Sequence, residues 1–219
     1  MELSYTLLAD GSSDRGLLRI LTWMIKRHLP NCAIRHRWAD PRHLSPPAST
    51  LSKRIEEAVD LYPCDILFIH RDAERVSRAT RAEEISRSLM TTKHKGMLHV
   101  FVIPVRMTEA WLLLDEGAIR KASGNPNGRV RLNLPRVKDL ENLVDPKKDL
   151  WDLLLQACDL PGRRLKRFKA ALSKCQHRLT QLIRDFSRLL ELPAFQAMDD
   201  EFRQLAESKG WLSHPHATE

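Results

Sequence analysis

Five acidic residues stand where an α/β protein does its chemistry. Asp10 ends an apolar run in L-L-A-D-G-S-S-D, with Asp14 four residues on; Asp72 and Glu74 stand two apart in I-H-R-D-A-E-R; Glu109 lies in V-R-M-T-E-A-W. Side chains two apart in an extended chain point the same way, so Asp72 and Glu74 offer a paired carboxylate. Carboxylate oxygens converging from several segments suit a hard, hexacoordinate cation, Mg²⁺ or Mn²⁺, whose other positions take water and a substrate phosphate. A cation so held polarises a phosphoryl oxygen and activates water for in-line attack. Taken singly, each acid has a plainer explanation, Asp14 as a helix N-terminal acid and Asp72 and Glu74 as loop acids. Only their common placement speaks for a joint site.

That placement depends on the elements around them. From 1 to 118, short β-like runs alternate with helical periodicity, the pattern of parallel strands joined by crossover helices. Strands are predicted over 3–9, 33–38, 65–70 and 99–105, and helices over 13–28, 50–61 and 78–92. The first helix carries Leu17, Leu18, Leu21, Met24 and Ile25 on one stripe, with Ser12 or Ser13 as N-cap and Gly11 giving a tight turn. Beyond 108 the β signal disappears, and helices are predicted over 109–121, 146–158, 163–190 and 194–208. The expected architecture is a Rossmann-like α/β domain (1–118), with a parallel four-stranded sheet flanked by helices, and a basic helical extension (119–219) packed on it. In such sheets ligands bind beyond the carboxyl ends of the strands, where these acids fall.

Composition narrows the function classes. With 219 residues, 42% hydrophobic and 29% charged, the chain reads as globular. No apolar run approaches the ~20 residues of a membrane span, and the chain begins at once on a strand, so a cytoplasmic protein without a membrane partner is expected. Cys32, Cys64, Cys158 and Cys175 are spread without a C-x-x-C pair, against a zinc site or a disulfide framework. Neither a phosphate-binding G-x-x-x-x-G-K-[ST] loop nor a G-x-G-x-x-G turn is present, which leaves ATP hydrolysis and dinucleotide binding unsupported. His70, beside Asp72, reads either as a hydrogen-bonded structural group or as an acid–base residue.

Charge is unevenly spread. The net charge is +8, yet residues 119–191 hold 17 Lys and Arg against 8 Asp and Glu. The string Arg163, Arg164, Lys166, Arg167 and Lys169 opens a helix, where the macrodipole disfavours positive charge. Contact with nucleic-acid phosphates is one reason to keep such a string, and docking an acidic partner is the other.

The order β, acid-G-x-S-D, α, then β, D-x-acid, then β, R-x-T-E-A-W resembles the Toprim domain of topoisomerases, primases and the overcoming-lysogenization-defect nucleases. More narrowly it is similar to small bacterial Toprim-like proteins of antiphage defence operons. R-M-T-E-A-W-L-L-L-D, D-P-K-K-D-L and F-S-R-L-L-E-L-P-A-F-Q carry that narrower likeness, which extends over about 1–205. The resemblance implies that Asp10, Asp72 and Glu74 bind Mg²⁺, although Toprim domains usually have Glu at the first position and Asp at the last. The expected function is therefore a Mg²⁺-dependent nuclease of a defence or toxin system. In it Asp14 and Glu109 would add a second metal ligand or orient water, and Arg106 would stabilise the phosphate. A partner ATPase would be encoded alongside. The alternative is a catalytically silent nucleic-acid-binding or assembly subunit.

Overall fold

A computed structural model describes residues 1–44, 46, 49–73 and 76–212. Four strands, β1 (Glu2–Leu8), β2 (Ala33–Ala39), β3 (Ile66–His70) and β4 (His99–Val102), form one all-parallel sheet in the order β2-β1-β3-β4. Every residue of β3, Ile-Leu-Phe-Ile-His, is buried, as expected for a parallel strand covered on both faces. Tyr5 of β1 is buried too, and its hydroxyl donates to the Leu18 carbonyl at 2.7 Å. β4 is shorter than the predicted 99–105 because Pro104, without an N–H, cannot continue the ladder.

Two compact units divide the chain. The first comprises Met1–Arg71, Ala79–Ile103 and Gln196–Glu219; the second comprises Asp72–Arg78 and Pro104–Phe195. The chain passes between the units at 71/72, 78/79, 103/104 and 195/196, and its last helix belongs largely to the sheet-bearing unit. In that unit α1 (Leu17–His28), α2 (Leu51–Leu61) and α3 (Arg78–Met90) follow the three inner connections. A short 3₁₀ helix, Ser12–Gly16, precedes α1. Gly11, not Ser12 or Ser13, caps it, with φ −131°, so the left-handed freedom of glycine is not needed there.

The second unit holds α4 (Glu116–Ala122), α5 (Pro146–Cys158), α6 (Gly162–Lys169) and α7 (Leu172–Leu182), and α8 (Pro193–Ser208) returns to the first. The predicted helix over 109–121 divides into a 3₁₀ helix, Thr108–Leu112, and α4, because the Asp115 carboxylate caps the latter by accepting from Ala118 N at 2.9 Å. The predicted helix over 163–190 also divides. Leu172 and Leu179 are buried on α7, while Leu165 and Phe168 of α6 are only half-buried. Asp185 then accepts from the backbone and hydroxyl of Ser187, a local alternative to helical bonding that opens the 3₁₀ helix Ser187–Glu191.

α8 is fastened to the sheet-bearing unit by charge as well as by packing. Asp199 accepts from Arg27 and, at 2.8 Å, from His28 at the end of α1, while Phe202 stacks near Phe68 and His28. Burial alone would raise the Asp199 carboxyl, but the hydrogen bonds from His28 and Arg27 override it and hold it below the ordinary value. A depressed native pKa means that this carboxylate stabilises the fold above its unfolded pKa of ~3.9, and that the contribution fades as pH falls through the native value. Asp199→Asn is expected to cost about 1–2 kcal/mol in urea unfolding at pH 7, and to show a smaller loss of stability than the parent chain between pH 4 and pH 2.

Among the described residues no helix is long and apolar enough to cross a membrane. All four cysteines are free thiols, two buried and two half-buried.

Candidate functional site

The strand order reverses between β1 and β3, the place where parallel α/β sheets open a crevice for ligands beyond their carboxyl ends. Asp10 leaves β1 there and Arg71 leaves β3. The Asp10 carboxylate is clamped by two guanidiniums: one oxygen takes Arg54 Nη1 and the other takes Arg71 Nε at 2.9 Å. Arg54 comes from α2 and is 2% exposed, and its Nη2 donates to the Ala9 carbonyl at 2.9 Å. Arg71 reaches on to Glu84 of α3 at 3.3 Å, and Glu84 also receives Arg81. A chain of alternating charge, Arg54, Asp10, Arg71, Glu84 and Arg81, thus runs from α2 past the ends of β1 and β3 to α3.

Asp14 and His70 form a separate pair. Asp14 accepts from the Gly11 amide at 3.1 Å, and its other oxygen lies 3.7 Å from His70 Nε2. His70 is 2% exposed, and its Nδ1–H donates to the Val102 carbonyl at 3.0 Å, which fixes the ring against β4. The Val102 bond is the kind of contact the structural reading of His70 describes. Asp14 keeps its helix-terminal role and adds a brace to the floor of the loop.

The remaining candidates lie in or beyond the second unit. Asp72 is half-buried at that unit's first residue, and Glu74 lies outside the described residues. Glu109 is 3% exposed; its Oε1 accepts from Gln176 Nε2 at 3.0 Å, and Gln176 in turn accepts from Trp151 at 3.3 Å. That oxygen holds α7 in place inside the unit, so Glu109 is a buried positioning group rather than a residue open to a cleft. Arg106 is half-buried, with its Nε buried and lacking a hydrogen-bond partner among the described residues.

Of the three expected metal ligands, Asp10 and Asp72 are among the described residues. Among the described residues no group of three or more His, Cys, Asp or Glu side chains could hold a metal ion. Asp10, the first expected ligand, has both oxygens committed to guanidiniums, and two positive charges beside one carboxylate repel a dication. In this arrangement the described residues do not fit Mg²⁺ or Mn²⁺.

The basic string fares differently. Arg163, Arg164, Lys166, Arg167 and Lys169 all lie on α6, which has no buried residue, and all five are exposed without an ion pair among the described residues. Asp159, left-handed at φ 49°, and Gly162, at φ 53°, turn the chain sharply between α5 and α6. Leu165 lines a groove with Leu155, Leu160 and the stem of Lys169.

Arg54 and Arg71, which sequence reasoning missed, had one available signal. Leu51, Ile55 and Ala58 mark the buried stripe of α2, and position 54 lies on that stripe. An arginine on a core-facing stripe needs a buried acceptor, and the nearest acid at the sheet edge was Asp10.

Fold and site together define an α/β protein with a Rossmann-like, all-parallel four-stranded sheet whose carboxyl edge at β1 and β3 alternates arginines with carboxylates. Compared with known proteins, the chain matches no family model, no curated protein and no solved structure.

Proposed function

We propose that this chain is a nucleic-acid-binding α/β protein of the cytoplasm that grips the phosphate backbone through α6. One observation carries the reading: five cations on one short helix, exposed and without an ion pair among the described residues, two of them, Arg163 and Arg164, placed against the helix dipole in its first turn. A solvated helical face usually mixes signs, whereas this one holds no acid at all. Phosphate oxygens would supply the counter-charge, releasing condensed counterions from the nucleic acid. The reading is tested by fluorescence anisotropy of a labelled oligonucleotide across a salt series. Log affinity should fall linearly with log salt, by roughly one unit of slope per phosphate contact and with little sequence preference. An affinity indifferent to salt would refute it.

A second reading is Mg²⁺-dependent phosphodiester cleavage by a Toprim-like protein of a defence or toxin system, working with a partner ATPase. It is favoured by the position of Asp10 at the strand-order reversal, where its side chain remains 42% exposed. The described acids do not fit the cation, so this reading requires the two guanidiniums to leave Asp10 first. Its measurement is the melting temperature with millimolar Mg²⁺ or Mn²⁺: a rise that Asp72→Ala abolishes supports it, and a flat response to both ions removes it.

A further inference from the structure

The geometry points to an anion site at the crevice between β1 and β3: Arg54, Arg71 and Arg81 bind one monoanionic phosphodiester group, with Asp10 and Glu84 holding the arginines in place until it arrives. This goes beyond the α6 surface and rests on different residues.

Charge count is the first support. The contact-linked side chains carry three guanidiniums against two carboxylates, leaving one positive charge uncompensated within the cluster. A phosphodiester carries one negative charge and neutralises it; a metal dication would take the cluster to three positive charges.

Donor supply is the second. Each guanidinium has five N–H donors in a fixed fork, suited to bidentate contact with phosphate oxygens. Arg54 spends Nη1 on Asp10 and Nη2 on Ala9 O, and its buried Nε has no hydrogen-bond partner among the described residues. Arg81 gives Nη1 to Glu84, and its Nε is likewise buried without a partner among the described residues. Arg71 is ion-paired to Asp10 at Nε and to Glu84 at Nη1, and its Nη2 is paired with neither acid. Donors therefore exceed acceptors in a partly buried place, where an unsatisfied donor costs more than in water.

Location is the third. The cluster lies at the strand-order reversal, and its two acids are the exposed members, at 42% for Asp10 and 41% for Glu84, while Arg54, Arg71 and Arg81 lie deeper at 2%, 25% and 14%. The cations form the floor and the carboxylates form the rim. An incoming anion would take over the outward face of Arg71 from Asp10 and Glu84, which can swing into solvent.

The phosphodiester reading and the metal reading give opposite signs for one substitution. Dithymidine monophosphate, a single phosphodiester, is titrated into the full chain by calorimetry at low salt, with thymidine as the uncharged control. Asp10→Asn removes the competing carboxylate and should tighten binding several-fold; Glu84→Gln should do the same and serves if Asp10→Asn does not fold. Arg71→Ala should weaken binding about tenfold or more, with Arg71→Lys in between because it keeps charge but loses the fork. Loss of binding in Asp10→Asn and Glu84→Gln, or unchanged affinity in Arg71→Ala, overturns the proposal. Inorganic phosphate binding more tightly than the dinucleotide overturns the diester assignment.

Discussion

Asp10→Ala is expected to lower the free energy of unfolding by about 3 kcal/mol at neutral pH, measured by urea denaturation in a chelating buffer. The cost comes less from Asp10, which is 42% exposed, than from Arg54, which is 2% exposed and would keep, among the described residues, the Ala9 carbonyl as partner. Removing one member of a buried pair strands the other charge, and such losses run to about 3–5 kcal/mol. The low end applies because solvent reaches the Asp10 side of the pair. Removing both should cost much less: in Asp10→Ala with Arg54→Met the buried charge is gone and the methionine keeps most of the packing, so the two substitutions should be strongly non-additive. An acid kept only to hold a metal would behave otherwise. In a metal-free buffer its loss would leave stability unchanged or raise it, because a neighbouring acid would no longer be repelled.

The second large effect is expected on α6. Arg163→Glu, Arg164→Glu and Arg167→Glu together should reduce the slope of log affinity against log salt by roughly three, one for each lost phosphate contact, and weaken oligonucleotide binding at every salt concentration. Folding should be untouched. None of the three side chains is buried or ion-paired among the described residues, so the melting temperature of the variant should match that of the parent. Reversal should even relieve the unfavourable meeting of Arg163 and Arg164 with the helix dipole, which is worth a few tenths of a kcal/mol. If oligonucleotide affinity survives while a co-purifying protein is lost, the surface docks that partner instead.

The parallel sheet was legible because its signals are local and repeated. β3 is an unbroken apolar run, α1 has a clean stripe, and α5 begins and ends where Pro146 and the left-handed Asp159 place its limits. Where the reading went wrong, a side chain competed with the pattern. Asp115 starts α4 and Asp185 starts the 3₁₀ helix Ser187–Glu191, each by accepting a backbone N–H that periodicity alone assigns to a longer helix. The apolar spacing over 163–190 is real, but it is shared by α6 and α7 around a bend at Ala170 and Ala171 that no glycine or proline announces. Pairings were harder still. That an acid ends β1 is plain in the sequence; that it faces Arg54, 44 residues away, and Arg71 depends on the sheet order, which a single sequence does not state. Glu109 looked like a ligand at a strand exit and is buried against Gln176 for the same reason, since its neighbours come from a helix predicted with the wrong limits.

The return of α8 to the sheet has a consequence in the order of synthesis. Phe202 covers Phe68, Asp199 binds Arg27 and His28, and Glu201 accepts the Phe101 amide of β4 at 3.0 Å, so the last helix covers part of the sheet and satisfies an amide on its edge strand. Between Ile103, where the chain leaves this unit after β4, and Gln196, where it rejoins, lie 92 residues of the second. At ~5–20 residues per second a ribosome needs roughly 5–20 s to make them. Throughout that interval all four strands exist while Phe68 lacks its cover and the amide of Phe101 lacks its acceptor. The nascent chain therefore carries an unfinished sheet until its final helix emerges, and shielding during translation matters more for this protein than for one whose sheet is completed by consecutive segments.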